Sequence, residues 1–159
     1  MNCGPGSSDK KSNIQYNLKV VGNKIKAKSK DIALLNQVHG NKFHYISKHS
    51  KLHNKLEGDA LITDKRNLPI AVLTADCVPV LIYDKNREMI AAIHAGWKGA
   101  YKGIIKKVVK FMIKKGCSSK NIIAAIGPCI SVNSYQVKED FIKRFIKKDK
   151  TNIIFFKKT

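Results

Sequence analysis

The sequence has no apolar run approaching the roughly 20 residues that cross a bilayer. Its first residues, MNCGPGSSDKK, lack the apolar segment of an export signal. A cytoplasmic protein without membrane contact is therefore expected. Arginine is scarce: Arg66, Arg87 and Arg144 are the only three among 31 basic residues, the other 28 being lysine. Arginine's planar fork is the usual bidentate reader of phosphates and bases, so its scarcity argues against specific nucleic-acid recognition despite a net charge of +20. The lysines accompany abundant isoleucine and asparagine, as drift in an AT-rich genome would produce, and the charge implies only non-specific, salt-sensitive adhesion to RNA or DNA. The four cysteines, Cys3, Cys77, Cys117 and Cys129, follow no regular spacing. In a reducing compartment a singled-out cysteine is better read as a ligand or nucleophile than as half of a disulfide. The five histidines include no His-x-His pair, which excludes the ligand set of a conventional four-copper oxidase. Neither a GxGxxG fingerprint nor a Walker A loop is present. No internal repeat or linker breaks the chain.

What is present suffices for one domain with a real core, 159 residues of which 43% are hydrophobic. The organising stretch is residues 70–103, IAVLTADCVPVLIYDKNREMIAAIHAGWKGAYKG. Two apolar runs in it end in reactive side chains: Cys77 follows IAVLTAD, and His94 follows MIAAI. Upstream, LLNQVHG delivers His39. Apolar runs of this kind read as strands buried on both faces. Strands are expected at residues 31–38, 43–46, 70–75, 80–83, 89–93, 122–126 and 153–156, with residues 58–63 a turn entering a further strand and Pro79 leaving Cys77 on an irregular segment. Residues 13–21 form a short helix or strand. The periodicity of Ile104, Ile105, Val108, Val109, Met112 and Ile113 predicts an amphipathic helix over 100–115, stopped by Gly116. A second helix is expected over Glu139–Lys148, with Phe141, Ile142, Phe145 and Ile146 inward. His44, His49 and His53 fall in a lysine-rich stretch, and their spacing reads as an exposed loop.

Two histidines and a cysteine at strand ends form a three-ligand metal site. Taken singly, His39 reads equally well as a hydrogen-bonded core residue, and Cys77 as a small buried hydrophobe. Together they suit zinc, which accepts Cys sulfur and His nitrogen, and three protein ligands with an open fourth position describe a catalytic site. Asp76, beside Cys77, either orients a ligand, exchanges a proton with substrate or caps the turn. The turn Gly96, Trp97, Lys98 and Gly99 opens a helix, where free N–H groups could hold phosphate near His94. Trp97 stacks on a flat ring or packs in the core. Cys117 and Cys129 are read as structural. The alternatives are a Cys-His hydrolase, with Cys77 as nucleophile and His94 as base, acting on an amide or peptidoglycan precursor, and an inactive basic fragment.

The motifs QVHG, GDALIT, TADCVPVLIYD, IAAIHAGWKGAYKGI and AIGPCIS with SYQV resemble, in order and spacing, the bacterial laccase-like or polyphenol oxidase family. That family is now regarded as zinc-dependent purine nucleoside phosphorylases with adenosine deaminase activity. The resemblance covers nearly the whole chain. It implies an α+β fold, a mixed β-sheet core flanked by helices, in a single domain over residues 1–159. It implies zinc on His39, Cys77 and His94, with copper as a family association and phenol oxidation as incidental copper chemistry. Substrates would be phosphate and purine nucleosides: adenosine, inosine and methylthioadenosine. The assembly would be a monomer or homodimer. Two departures stand out. The chain is shortened at both ends relative to the family, and Lys98 replaces the arginine of HAGWRG, keeping the charge but losing the bidentate geometry.

Overall fold

The computed structural model describes residues 1–47, 49 and 56–157, in two compact units, Met1–Cys129 and Ile130–Thr159. The first unit opens with helix α1 (Lys11–Lys24), and a five-stranded sheet follows: β1 (Phe43–Ile46), β2 (Ala60–Thr63), β3 (Val78–Asp84), β4 (Met89–Ala95) and β5 (Ile122–Ile126). The strand order is β1-β2-β4-β3-β5; β1 and β2 run parallel and every other pair is antiparallel. This is the mixed sheet with helices expected of an α+β chain. Between β4 and β5 lie helices α2 (Trp97–Tyr101) and α3 (Ile104–Lys114).

Hydrophobic spacing explains how α3 seats on the sheet. Ile104, Val108 and Met112 recur every fourth residue, one stripe of a 3.6-residue helix, and all three are fully buried. They pack with Ala60, Ile62, Val80, Ile82, Ala91 and Ile93 from the central strands. A second cluster joins Ala33, Leu35, Ile46 and Leu61. β4 is enclosed on both faces because Ala91 and Ala92 let neighbours approach from either side.

Several expectations are corrected. The helix expected over 100–115 is two, because Gly103 adopts φ +73° and breaks the helical path between α2 and α3. Ile105 and Ile113 fall off its buried stripe and are exposed. Residues 31–38 and 70–75 make only isolated parallel bridges, Ala33 to Ile70 and Asn36 to Glu57, rather than strands. β3 includes Pro79, paired opposite His94, and is not buried on both faces: Leu81 and Tyr83 point outward. β5 likewise exposes Ile123 and Ile126. Apolar content alone cannot separate a central strand from one with an open face. Among the histidines of the expected loop, His44 lies on β1, half-buried, with Nε2 2.8 Å from the Glu57 carbonyl; His49 is exposed, and His53 lies outside the described residues.

The β3–β4 turn is knotted by a buried carboxylate. Asp84 accepts the backbone N–H groups of Asn86, Arg87 and Ser118 at 2.9–3.0 Å. The Arg87 N–H leads the bonds that hold its carboxyl below the ordinary value. A lowered folded value means the stabilisation is complete above the unfolded carboxylate's pKa, about 3.9, and is lost as pH falls through the folded one. The difference in melting temperature between the parent and Asp84→Asn is thus expected to be largest near neutrality and to shrink below about pH 4.

In the second unit, α4 (Glu139–Lys148) forms as expected, its first turn acidic and its last basic. Phe141, Phe145 and Phe156 gather with ring centroids 4.8–6.2 Å apart. Residues expected as a final strand form instead a short 3-10 helix, Lys150–Phe155, whose start is capped by Asp149 on the Thr151 N–H at 2.9 Å. No described helix is long and apolar enough to cross a membrane.

Candidate metal centre

The three residues singled out by sequence meet in the first unit. One donor atom each of His39, Cys77 and His94 lies within 4.8 Å of the other two. They arrive by different routes. His94 is the penultimate residue of β4 and is buried; Cys77 lies on the irregular segment just before β3, half-buried; His39 follows the extended segment and is exposed. The His39 and His94 rings meet edge to face at 4.7 Å.

Asp59, which the sequence reading left without a role, lies behind two of these residues. It is fully buried in the turn before β2. Its Oδ1 accepts the His39 backbone N–H at 2.9 Å and lies 2.9 Å from His94 Nδ1, and its Oδ2 accepts the Gly40 N–H at 2.6 Å. Gln37 performs a similar service for the third segment. Its side-chain amide donates to the Leu73 carbonyl at 2.8 Å and accepts the Leu73 N–H at 2.7 Å, tying the stretch that leads to Cys77 to the stretch that leads to His39. The signals were GDA and QVHG themselves: a carboxylate and an amide flanking histidine and glycine.

A metal fits this arrangement on two observations. Nitrogen, sulfur and nitrogen are the donors zinc accepts. The space among them is kept open by Gly96, where a Cβ would lie 3.0 Å from His39 Cδ2 and 3.1 Å from Cys77 Sγ. Burial pushes the Cys77 thiol above its ordinary value, and the charges of Asp76 and Asp59 add to this. A metal would take the sulfur as thiolate in place of its proton.

Asp76 is exposed on the wall of a cleft of about 850 Å³ that reaches from His39, Cys77 and His94 to the N-terminal residues and to Leu18 and Val21 of α1. The glycine turn serves close packing: Gly96 caps α2, and a Cβ on Gly99 would meet the Gly40 carbonyl at 2.6 Å. Trp97 is half-buried, with the exposed Lys98 ammonium 5.6 Å from its ring centroid. Cys117 is buried, its thiol 3.8 Å from the Met89 sulfur, whereas Cys129 is exposed; all four cysteines are free.

The Gly99 contact is with backbone, so a side chain there cannot be relieved by a rotamer change. Gly99→Ala is expected to cost about 1–3 kcal/mol in chemical denaturation. Gly6→Ala, where a Cβ meets nothing within 4 Å, should be close to neutral.

Known proteins resemble this chain in sequence and in fold. The chain is 42% identical over 151 residues to the purine nucleoside phosphorylase of Rickettsia conorii, covering 92% of this chain and 61% of that protein. The purine nucleoside phosphorylase of Bacteroides thetaiotaomicron is 35% identical over 154 residues, covering 92% and 57%. The chain thus spans about six-tenths of the length of these relatives. Among solved structures, Bacillus licheniformis hypothetical protein YfiH superposes with a TM-score of 0.83 at 32% identity, over 90% of this chain and 57% of that one. The profile of the family described as multi-copper polyphenol oxidoreductase laccase matches residues 1–159, and the chain belongs to that family.

Proposed function

We propose that this chain acts as a zinc-dependent purine nucleoside phosphorylase, with deamination of adenosine as a second activity. One observation carries the reading: His39, Cys77 and His94 converge at the end of a cleft of about 850 Å³, in a chain 42% identical to a protein named purine nucleoside phosphorylase. Residues 1–159 are read as part of one such domain, working in the cytoplasm as a monomer or homodimer.

In phosphorolysis a phosphate oxygen attacks the anomeric carbon, the bond to the purine nitrogen breaks, and the base leaves with the electron pair and a proton. In deamination water adds at C6 of adenosine and ammonia departs. Zinc held by His39, Cys77 and His94 would supply Lewis acidity beside the substrate; copper suits the same imidazole and thiolate donors. Asp76, on the cleft wall next to Cys77, exchanges the proton with substrate. The turn Gly96, Trp97, Lys98 and Gly99 holds phosphate, with Lys98 as a point charge rather than a fork. Adenosine, inosine and methylthioadenosine are the substrates to try.

The test is product analysis with zinc-loaded protein. Adenine and ribose 1-phosphate formed from adenosine only when phosphate is supplied support phosphorolysis; inosine formed without phosphate supports deamination. Neither product from folded, zinc-loaded chain overturns the reading.

A second reading has one observation in its favour. Asp59, His94 and Cys77 stand in the order of acid, base and nucleophile, as a Cys-His hydrolase of amides or peptidoglycan precursors would need. The raised Cys77 thiol opposes it, since such a nucleophile is activated by a lowered pKa. Zinc protection of Cys77 from alkylation favours the ligand role. Rapid, saturable alkylation of metal-free protein favours the nucleophile.

A further inference from the structure

Asp59 is fully buried and hydrogen-bonds two of the three donor residues, and its contacts differ in kind. Toward His39 it bonds the backbone; toward His94 it bonds the ring. His39 adopts φ +55°, a left-handed conformation unfavourable for a non-glycine residue. In that conformation the successive N–H groups of His39 and Gly40 converge, as in the backbone nests that hold anions. Here the anion is the protein's own: both N–H groups point at the Asp59 carboxylate. The main chain of Asp59 is pinned as well, its N–H to the Lys42 carbonyl at 2.8 Å and its carbonyl to the His94 N–H at 2.7 Å.

A carboxylate offers only acceptors, so the His94 proton must sit on Nδ1 and the lone pair on Nε2. The acceptor that fixes this tautomer also fixes the backbone carrying His39. We propose that Asp59 is a positioning residue that couples two metal ligands, setting the tautomer of His94 and the main-chain conformation that presents His39. The proposal rests on the zinc-centre reading above. Cys77, tied instead through Gln37 and Leu73, stands outside the coupling. The donor set thus divides into a preassembled histidine pair and a cysteine brought to it by a separate clamp.

Asp59→Asn isolates the effect because it keeps the shape and removes the uniform acceptor character. If the amide oxygen faces His39 and His94, the amide N–H₂ is set against the Gly40 N–H. If the amide turns over, it donates to His94 Nδ1 and drives the proton to Nε2, where it blocks ligation. Three measurements test the proposal. Ring nitrogen shifts of metal-free parent protein, read by long-range ¹H–¹⁵N correlation, should show His94 protonated on Nδ1; an Nε2-protonated ring in the parent overturns the proposal without any variant. Zinc titration of folded Asp59→Asn should show affinity reduced about 10–100-fold, with the His94 shifts moved toward the other tautomer. Affinity within about twofold of the parent would overturn it. Parent protein that binds no zinc would instead count against the zinc-centre reading alone, since the tautomer measurement needs no metal.

Discussion

Cys77→Ala is expected to leave a folded protein that no longer retains zinc. The parent, purified with zinc and desalted, is expected to hold about one ion per chain, as a three-ligand site with an open position would; the variant should hold less than a tenth of that by elemental mass spectrometry. The loss should be this large because the remaining donors are two imidazoles, one of them exposed, with no thiolate to match the metal's preference for sulfur. Folding should survive because Cys77 lies on an irregular segment, half-buried, and belongs to neither core cluster. In metal-free protein the two melting curves should nearly coincide; with zinc added, only the parent should shift upward, since a ligand stabilises the state that binds it. The parent's affinity should also rise with pH, because burial raises the Cys77 thiol and the metal must displace its proton. A variant retaining zinc at the parent's level would remove Cys77 from the centre and favour its reading as a nucleophile.

The clustering of His39, Cys77 and His94 was legible because each follows an apolar run that leads to the same side of the core. Asp59 and Gln37 were not, although both sit inside quoted motifs. Their work depends on partners 35 and 36 positions away, His94 and Leu73, and no local period connects them. The strands were legible where side chains are enclosed from both directions, as in β4, and over-read where apolar composition was the only signal. Residues 31–38 and 70–75 are as apolar as a strand, yet their backbones pair at a single bridge, Ala33 to Ile70, and the Gln37 side chain makes the next tie, to Leu73. The second segment lines the cleft from Ala71 to Cys77. The break at Gly103 was not legible either. Helical periodicity runs from Ile104 onward, whereas the chain before it is fitted to Gly40 through Gly99, and a left-handed glycine reconciles the two directions.

Met112→Ala should produce the complementary result, a large loss of stability with the metal centre kept. Met112 is fully buried in the cluster that α3 makes with the central strands, near Met89 and Cys117 at the far end of the helix. Truncating it removes the transfer free energy of its side chain and leaves a void that a sheet on one side and a helix on the other cannot close, at a cost of about 2–5 kcal/mol. For a chain of this size that is a fall in melting temperature of roughly 5–20 °C, a large share of a typical domain's 5–15 kcal/mol. The site should be spared because Met112 is eight residues beyond Ile104, about 12 Å along the helix axis. Ile104 is the member of the stripe that touches the glycine turn, 3.6 Å from the position of a Gly99 Cβ. Thermal denaturation and zinc titration below the transition should therefore separate for Met112→Ala, which melts early but binds at the parent's affinity. They should fall together for Ile104→Ala, which loosens the helix and the turn at once. If Met112→Ala lost zinc as readily as Ile104→Ala, the histidine pair would depend on the whole core rather than on Asp59 and the turn beside it.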